Sequence, residues 1–229
     1  MKKYAIIVAG GTGSRMGSAI PKQFLMLQEK PVLYYTLKAF LEAYDDLTVI
    51  LVLPEGYIEM GREIVDGYFD YSRIKVTAGG ETRFHSVQNG LSLVEEEAII
   101  FVHDGVRCLV SKDLIRKCYE AAVAAGSAIP VVPVKDSMRQ LKNDDSEPVD
   151  RNTMVMVQTP QTFHSKILLP AFAIDYKERF TDEASVVEAF GLKVFLIPGD
   201  ENNIKITRPV DFLLAEKLLD KREEEKVGS

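Results

Sequence analysis

The sequence predicts an α/β fold, a mainly parallel twisted sheet flanked by helices. Three observations carry that prediction. Short uninterrupted runs of β-branched and aliphatic residues recur along the chain, as in strands covered on both faces. Between the runs lie longer segments with helical apolar spacing. Alternation of the two types implies parallel strands joined by right-handed crossovers. The first run ends in a glycine-rich loop, Ala9-Gly10-Gly11-Thr12-Gly13-Ser14-Arg15-Met16-Gly17, set between a strand and a helix.

Taken in order, Tyr4–Val8 is the first predicted strand and Val32–Ala43 the first long helix. Leu47–Leu53 is a strand, Ile58–Tyr68 a helix, Ile74–Thr77 a short strand and Phe84–Leu93 a helix. Ala98–Val102 follows as a strand and Lys112–Ala125 as a helix. Ser111 supplies the N-cap of that helix and Gly126 its C-terminal stop. Ala128–Val134 is the fifth strand, Lys193–Ile197 a late strand and Pro209–Arg222 the last helix. The charged tail beyond Leu219 is expected to fray.

One stretch breaks the alternation. Lys135–Val157 is polar, contains Asn143-Asp144-Asp145-Ser146-Glu147-Pro148, and returns through an extended segment. It reads as two extended segments joined by a turn. A hairpin alone is marginal, so this one is either a surface excursion or a segment that packs on a partner subunit. Residues 1–229 are thus read as one domain carrying an extended arm at about 136–157.

Composition narrows the function classes. A chain of 229 residues, 46% hydrophobic and 27% charged, has the balance of an ordinary globule. Disordered, collagen-like and disulfide-scaffold classes are excluded. The net charge is −6 and the 28 Lys and Arg are scattered, which argues against nucleic-acid binding. Cys108 and Cys118 are too few for a secreted disulfide framework and are expected to be reduced, buried thiols. The first apolar run is too short for a signal sequence or a membrane span. The expected setting is cytoplasmic, without a membrane partner.

Glycines let a backbone approach a ligand closely, and successive N–H groups then make a concavity suited to phosphate. The phosphate loop of NTPases needs a terminal Gly-Lys-Ser/Thr, whereas this loop has Met16-Gly17-Ser18. The dinucleotide fingerprint needs Gly-x-Gly-x-x-Gly, whereas Gly11, Gly13 and Gly17 are one residue too widely spaced. What distinguishes the loop is its cations. Arg15 lies within it and Lys22 follows in Pro21-Lys22-Gln23, so a polyphosphate can be held from two sides.

With these residues in hand, the sequence resembles the sugar-phosphate nucleotidyltransferases. Among them it is similar to the 2-C-methyl-D-erythritol 4-phosphate cytidylyltransferases of the non-mevalonate isoprenoid pathway. The likeness recurs down the chain in Gly79-Gly80-Glu81-Thr82-Arg83-Phe84-His85-Ser86-Val87, Val102-His103-Asp104-Gly105-Val106-Arg107 and Val134-Lys135-Asp136-Ser137-Met138. It continues in Asp150-Arg151, Gln158-Thr159-Pro160-Gln161, Thr181-Asp182-Glu183-Ala184-Ser185 and Asn203-Ile204-Lys205-Ile206-Thr207.

The resemblance implies a Rossmann-like nucleotidyltransferase fold and a reaction in which a sugar-alcohol phosphate attacks the α-phosphate of CTP, releasing pyrophosphate. The nucleophile is already ionised, so no general base is needed, and no Ser-His-Asp or Cys-His set is evident. The resemblance casts Arg15, Lys22 and Lys205 as catalytic cations. It gives the nucleotide to Ala9, Gly10, Gly11, Thr12, Gly13, Gly80, Arg83, Ser86 and Asp104. It gives the alcohol phosphate to Asp104, Arg107, Ser137, Arg151, Thr159 and Lys205. Mg²⁺ or another divalent cation is expected at Asp104 together with CTP phosphates, because magnesium takes few carboxylates and keeps phosphate and water ligands. It also implies a homodimer in which Arg151 enters the neighbouring site.

His103, Asp182 and Glu183 read as structural, the last two as a helix start with favourable carboxylates. Three departures from the family pattern, Gly105-Val106 for Ala-Ala, Cys108 for Pro and Ser137 for Thr, are expected to touch the alcohol pocket. Two alternatives stay open. One is a ribitol 5-phosphate cytidylyltransferase, against which the Val149-Asp150-Arg151-Asn152 tract argues. The other is a non-catalytic nucleotide-binding protein on the same fold. A UTP-dependent enzyme is disfavoured by Gly80-Glu81-Thr82-Arg83.

Overall fold

Strands with apolar residues at every position bury both faces, and β-branched side chains suit that setting. In the computed structural model, which describes residues 1–11 and 20–227 and side chains as far as Glu224, the strands follow this rule except at one side of the sheet, where Val155–Val157 and Leu196–Pro198 are largely exposed. In chain order the strands are β1 (Lys2–Val8), β2 (Met26–Leu27), β3 (Lys30–Pro31), β4 (Leu47–Leu53), β5 (Ile74–Ala78) and β6 (Ala98–Asp104). They continue with β7 (Ser127–Pro133), β8 (Met138–Lys142), β9 (Asp145–Val149), β10 (Val155–Val157), β11 (Gln161–His164) and β12 (Leu196–Pro198). The helices are α1 (Val32–Ala43), α2 (Ile58–Tyr68), α3 (Arg83–Leu91), α4 (Lys112–Ala125), α5 (Ser165–Ala171), α6 (Glu183–Ala189) and α7 (Pro209–Val227).

Among the described residues the main sheet has eight strands, ordered β10-β7-β11-β6-β1-β4-β5, with β12 also paired to β7. Strands β6, β1, β4 and β5 are mutually parallel. Period-two alternation sends successive side chains to opposite faces. Ala5, Ile7, Val49, Leu51, Ile99 and Phe101 meet α1, α2 and α4 on one side. Tyr4, Ile6, Ile50, Val52, Ile100 and Val102 meet α3, α5 and α6 on the other. A third cluster packs α7 against Leu27, Val32, Cys108, Leu109 and Ile206.

The helix ends follow local chemistry. Ser111 Oγ accepts from Leu114 N–H and Gly126 closes α4 at φ 86°, a value that favours glycine. Asp182 caps α6 in a reciprocal box with Ser185. Gln161 reinforces that cap, accepting from Ala184 N–H at 2.8 Å.

The register fixes where a ligand can sit. Val8 lies opposite Val52 on one side and Asp104 on the other, and Leu53 lies opposite Ala78. The loops after β1, β5 and β6 therefore emerge together at the carboxyl edge of the parallel strands, where open α/β sheets bind ligands.

The other half of the sheet differs from the expectation. The arm is shorter than 136–157. β8 and β9 form a separate two-stranded sheet, with the turn at Asn143 in the left-handed region, φ 46°. Val155–Val157 does not belong to this hairpin; it pairs antiparallel with β7 in the main sheet. The late strand falls at Leu196–Pro198 rather than Lys193–Ile197, parallel to β7. β11, α5 and the small β2–β3 hairpin have no counterpart in the sequence reading, because two to seven residues carry too little periodicity to register.

Candidate active site

At the carboxyl edge of the parallel strands lies a cleft of about 320 Å³. Its floor begins where β1 ends, at Ala9, Gly10 and Gly11. The Ala9 carbonyl accepts from Gln23 Nε2 at 2.6 Å, which pins the short helical turn Lys22–Phe24 to the end of β1. Lys22 thereby becomes a buried cation that lines the cleft. Phe24 stacks on Tyr57 at 5.6 Å between centroids and anchors the turn from the other side.

One wall comes from the loop between β5 and α3. A Cβ on Gly80 would fall 2.4 Å from His85 Cβ and 3.2 Å from the His85 carbonyl carbon, so the loop closes this tightly only with glycine. Ser86 Oγ accepts from Gly80 N–H at 3.1 Å and donates to the Thr82 carbonyl at 2.9 Å. Arg83 opens α3 and faces the cleft beside Glu81 and Thr82.

Asp104, at the end of β6, is the electrostatic centre. Arg83 Nη2 lies 3.4 Å from Oδ1. Lys205 Nζ and Arg107 Nε lie 3.0 and 3.3 Å from Oδ2. Burial pushes the carboxyl up, but the charges of Arg83, Lys205 and Arg107 outweigh it and hold Asp104 well below the usual carboxylate range. Arg83 is also paired with Glu183, which is wholly buried at the start of α6. Burial opposes the guanidinium charge, yet Glu183 and Asp104 keep Arg83 firmly protonated. Burial pushes the Glu183 carboxyl up.

Behind Asp104 is a relay that no reading of the sequence revealed. Asp104 N–H donates to Thr159 Oγ1 at 3.1 Å. Thr159 Oγ1 lies 2.9 Å from His103 Nδ1, and His103 Nε2 lies 3.1 Å from the Arg107 carbonyl. A carbonyl can only accept, so Nε2 carries the proton and Nδ1 accepts from the Thr159 hydroxyl. Burial holds His103 down at about 3, a neutral imidazole. Asn203 closes the network: its Nδ2 donates to the Thr159 carbonyl at 2.8 Å, and its own carbonyl accepts from Arg107 Nη1 at 2.9 Å.

The cleft gathers Ala9, Gly10, Gly11, Lys22 and Gly80, and with them Arg83, Ser86, Asp104 and Lys205. Arg107 and Thr159 bear on Asp104 from behind rather than lining the cleft. Ser137 and Arg151 are exposed on or beside the arm and do not line it. Thr12, Gly13 and Arg15 lie outside the described residues. Of the three family departures, only Gly105-Val106 bears on the cleft. Val106 lines it, and a Cβ on Gly105 would meet that of Ala9 at 2.8 Å. Cys108 is buried under α7 instead, and Ser137 stands on the exposed strand approach to the arm.

The profile of the 2-C-methyl-D-erythritol 4-phosphate cytidylyltransferase family matches residues 4–221. The chain belongs to that family. It is a nucleotidyltransferase, and the ribitol and non-catalytic readings are not favoured. The enzyme of that name from Phocaeicola vulgatus is 46% identical over 219 residues, covering 96% of this chain and all of the relative. The Bacteroides fragilis enzyme is likewise 46% identical over 220 residues. Among solved structures, the Thermus thermophilus 2-C-methyl-D-erythritol 4-phosphate cytidylyltransferase superposes with TM-score 0.77 at 32% identity, covering 95% of this chain and 98% of that one. The 4-diphosphocytidyl-2C-methyl-D-erythritol synthase from Anaerococcus prevotii gives 0.81 at 26% identity, covering 96% and 98%. The fold is thus that of a cytidylyltransferase of this family.

No described helix of this cytidylyltransferase is long and apolar enough to cross a membrane.

Proposed function

We propose that the cleft joins CTP to 2-C-methyl-D-erythritol 4-phosphate. A phosphate oxygen of the polyol forms a bond to the α-phosphorus of CTP, the bond from that phosphorus to the bridging oxygen of the β-phosphate breaks, and pyrophosphate leaves. The observation that carries this reading is the cationic ring around Asp104: Arg83, Lys205 and Arg107 converge on one carboxylate at the edge of a glycine-floored cleft that Lys22 also lines. Cations outnumber carboxylates there, as the meeting of two polyanions requires. Preorganised positive charge at the α-phosphoryl oxygens lowers the barrier because it needs no reorganisation during reaction.

In this reading Lys22, with Arg15 from the loop, meets the developing charge on the α-phosphate and the leaving pyrophosphate. Gly10 and Gly11, with Thr12 and Gly13, offer backbone N–H groups to the nucleotide, while Ala9, whose own N–H is taken by the Val52 carbonyl at 2.9 Å, lines the floor beneath it. Gly80, Arg83 and Ser86 face base and ribose. Lys205 receives the polyol phosphate, and Arg107 and Thr159 hold Asp104 in place from behind. The neutral His103 takes no proton from substrate; it orients Thr159.

Asp104 is a hard oxygen donor facing the cleft, and no described group of three or more His, Cys, Asp or Glu forms an all-protein cage. That donor set fits Mg²⁺, which is commonly held by one or two carboxylates plus substrate phosphates and waters. When bound, the ion would neutralise phosphate charge; Asp104 would hold it, and Lys22, Arg83 and Lys205 around the cleft would orient the phosphates.

The second part of the proposal is a homodimer in which Arg151 and Ser137 complete the neighbour's alcohol pocket. Its support is the exposed apolar strand β10, where Val155, Met156 and Val157 are 41–50% exposed, next to a hairpin that among the described residues pairs only with itself.

The test is pyrophosphate release with CTP and Mg²⁺, comparing 2-C-methyl-D-erythritol 4-phosphate with ribitol 5-phosphate. A strong preference for the first is expected. A preference for ribitol 5-phosphate would keep the mechanism and overturn the substrate.

A further inference from the structure

A carboxylate with zero exposure is costly, and one with an unpaired oxygen more so. Glu183 is such a residue: it is fully buried and its Oε2 has no hydrogen-bond partner. Its position at the start of α6 does not explain it. The N-terminus of α6 is already served by the Asp182–Ser185 capping box and by Gln161, so the helix does not need a second acid. Among the described residues the one side-chain partner of Glu183 is Arg83, one hundred residues earlier in the chain. We propose that Glu183 is the positioning residue for Arg83, holding its guanidinium at the nucleotide cleft rather than closed onto Asp104.

The geometry supplies the mechanism. A guanidinium is a rigid planar fork, so fixing one arm sets the direction of the other. Glu183 takes Nη1, and Nη2 then stands 3.4 Å from Asp104 Oδ1, a long contact. Without Glu183, nothing opposes the pull of Asp104 on Arg83. The fork would close onto the carboxylate, compete there with Lys205 and Arg107, and leave the wall of the cleft formed by the β5–α3 loop. Glu183 thus divides the attention of Arg83 between two acids. Side-chain exposure agrees: Arg83 is 26% exposed at the cleft, whereas Glu183 is 1% exposed behind it.

The proposal rests on reading the cleft as the CTP site, and a four-enzyme comparison separates the two. Wild type, Glu183→Gln, Arg83→Gln and the double variant are assayed for kcat, KM for CTP and KM for the polyol phosphate. Melting temperature is measured on each. The direction of the CTP effect is informative in itself. Removing an anion from near a polyanion would lower KM for CTP by simple electrostatics, and a merely structural acid would lower melting temperature with KM unchanged. Loss of a positioning residue instead raises KM for CTP, by about tenfold, the scale of one charged hydrogen bond. The double variant is expected to match Arg83→Gln alone, since Glu183 acts only through Arg83. Additive effects, or a Glu183→Gln enzyme with unchanged or lowered KM for CTP beside an impaired Arg83→Gln, would overturn the role of Glu183 alone. An Arg83→Gln enzyme with normal KM for CTP would overturn the nucleotide role of Arg83, and Glu183 with it.

Discussion

The two halves of the sheet solve the same problem differently. β1, β4 and β6 are buried along nearly their whole length because helices cover both faces. β10 and β12, at the other side, carry Val155, Met156, Val157 and Leu196 exposed to 41–55%. The first half is finished within one chain and holds the cleft at its carboxyl edge. The second half is covered by α4 and α5 at β7 and β11 but shows apolar side chains on β10 and β12, and the β8–β9 hairpin projects from it. Chemistry that needs fixed charge belongs on the finished half, because a site is only as precise as the elements that carry it. The exposed side is where the proposed dimer interface lies, because exposed apolar patches mark association.

The largest expected effect breaks the finished half outright. Phe101 is fully buried in β6 and packs edge-to-face on Phe40 at 5.8 Å. Phe101→Ala is expected to cost about 3–5 kcal/mol of unfolding free energy. Leu141→Ala on the hairpin, where the side chain is 81% exposed, is expected to change it by less than about 0.5 kcal/mol. Chemical denaturation of the two variants measures the contrast, and comparable losses would mean that the hairpin is integral to the fold of one chain.

Next in size is the chemistry. Lys22→Ala removes a cation held by the turn that Gln23 pins to β1. The expected loss is about 2.7–4 kcal/mol of barrier, or roughly 10²–10³ in kcat, with melting temperature nearly unchanged. Steady-state kinetics beside a thermal melt decides it. A variant that keeps near-normal kcat would take Lys22 out of the transition state.

How much of this was legible in the sequence follows the same division. Helices α1, α2 and α4 begin and end where their apolar spacing predicts, α4 also where its Ser111 and Gly126 caps do, since each element's local signals agree with its tertiary setting. The glycine-rich floor, Lys22 and Asp104 were legible too, because they come in motifs read from contiguous residues. What was not legible depends on long-range contacts. Nothing local marks His103 as bonded to Thr159, 56 residues away, or Glu183 as the partner of Arg83. Read alone, Asp182-Glu183 is a helix start, which is true of Asp182 and incomplete for Glu183. Cys108 was expected at the alcohol pocket because it adjoins Arg107, yet the turn after β6 sends it under α7. The arm was overextended for a related reason: β10 is apolar and extended like a hairpin strand, and only its register with β7 reveals which sheet it joins.

A third prediction sharpens the role of the unfinished half. If Arg151 serves the neighbouring subunit, Arg151→Ala and Lys22→Ala proteins, each impaired alone, complement one another when mixed and allowed to exchange. Half of the dimers are then mixed, and each carries one site with both residues intact. About a quarter of wild-type activity is expected to return. Met156→Lys, which sets a charge on the exposed face of β10, is expected to abolish that recovery and to shift the sedimentation coefficient toward a monomer. No recovery between two otherwise folded proteins would confine each site to a single chain.

The smallest effect tests how completely the finished half excludes solvent. Cys118 has zero exposure on the inner face of α4, and Cys108 is 3% exposed under α7. Burial pushes both thiols up to about 12, and the thiolate is the reactive form. At pH 8 an aromatic disulfide reagent is therefore expected to find no thiol in the native protein and two after denaturation. A Leu141→Cys variant, with its new thiol on the hairpin, is expected to react with one equivalent at once. The same shift has a sign in stability. An unfolded thiol ionises near 9 while the folded ones stay protonated to about 12. The folded state therefore holds more protons in that window, and stability falls as pH rises above 9, by up to about 1.4 kcal/mol per pH unit for each thiol. Rapid reaction of a native thiol would show that α4 or α7 opens on the timescale of the assay, and would move that helix from the finished half to the unfinished one.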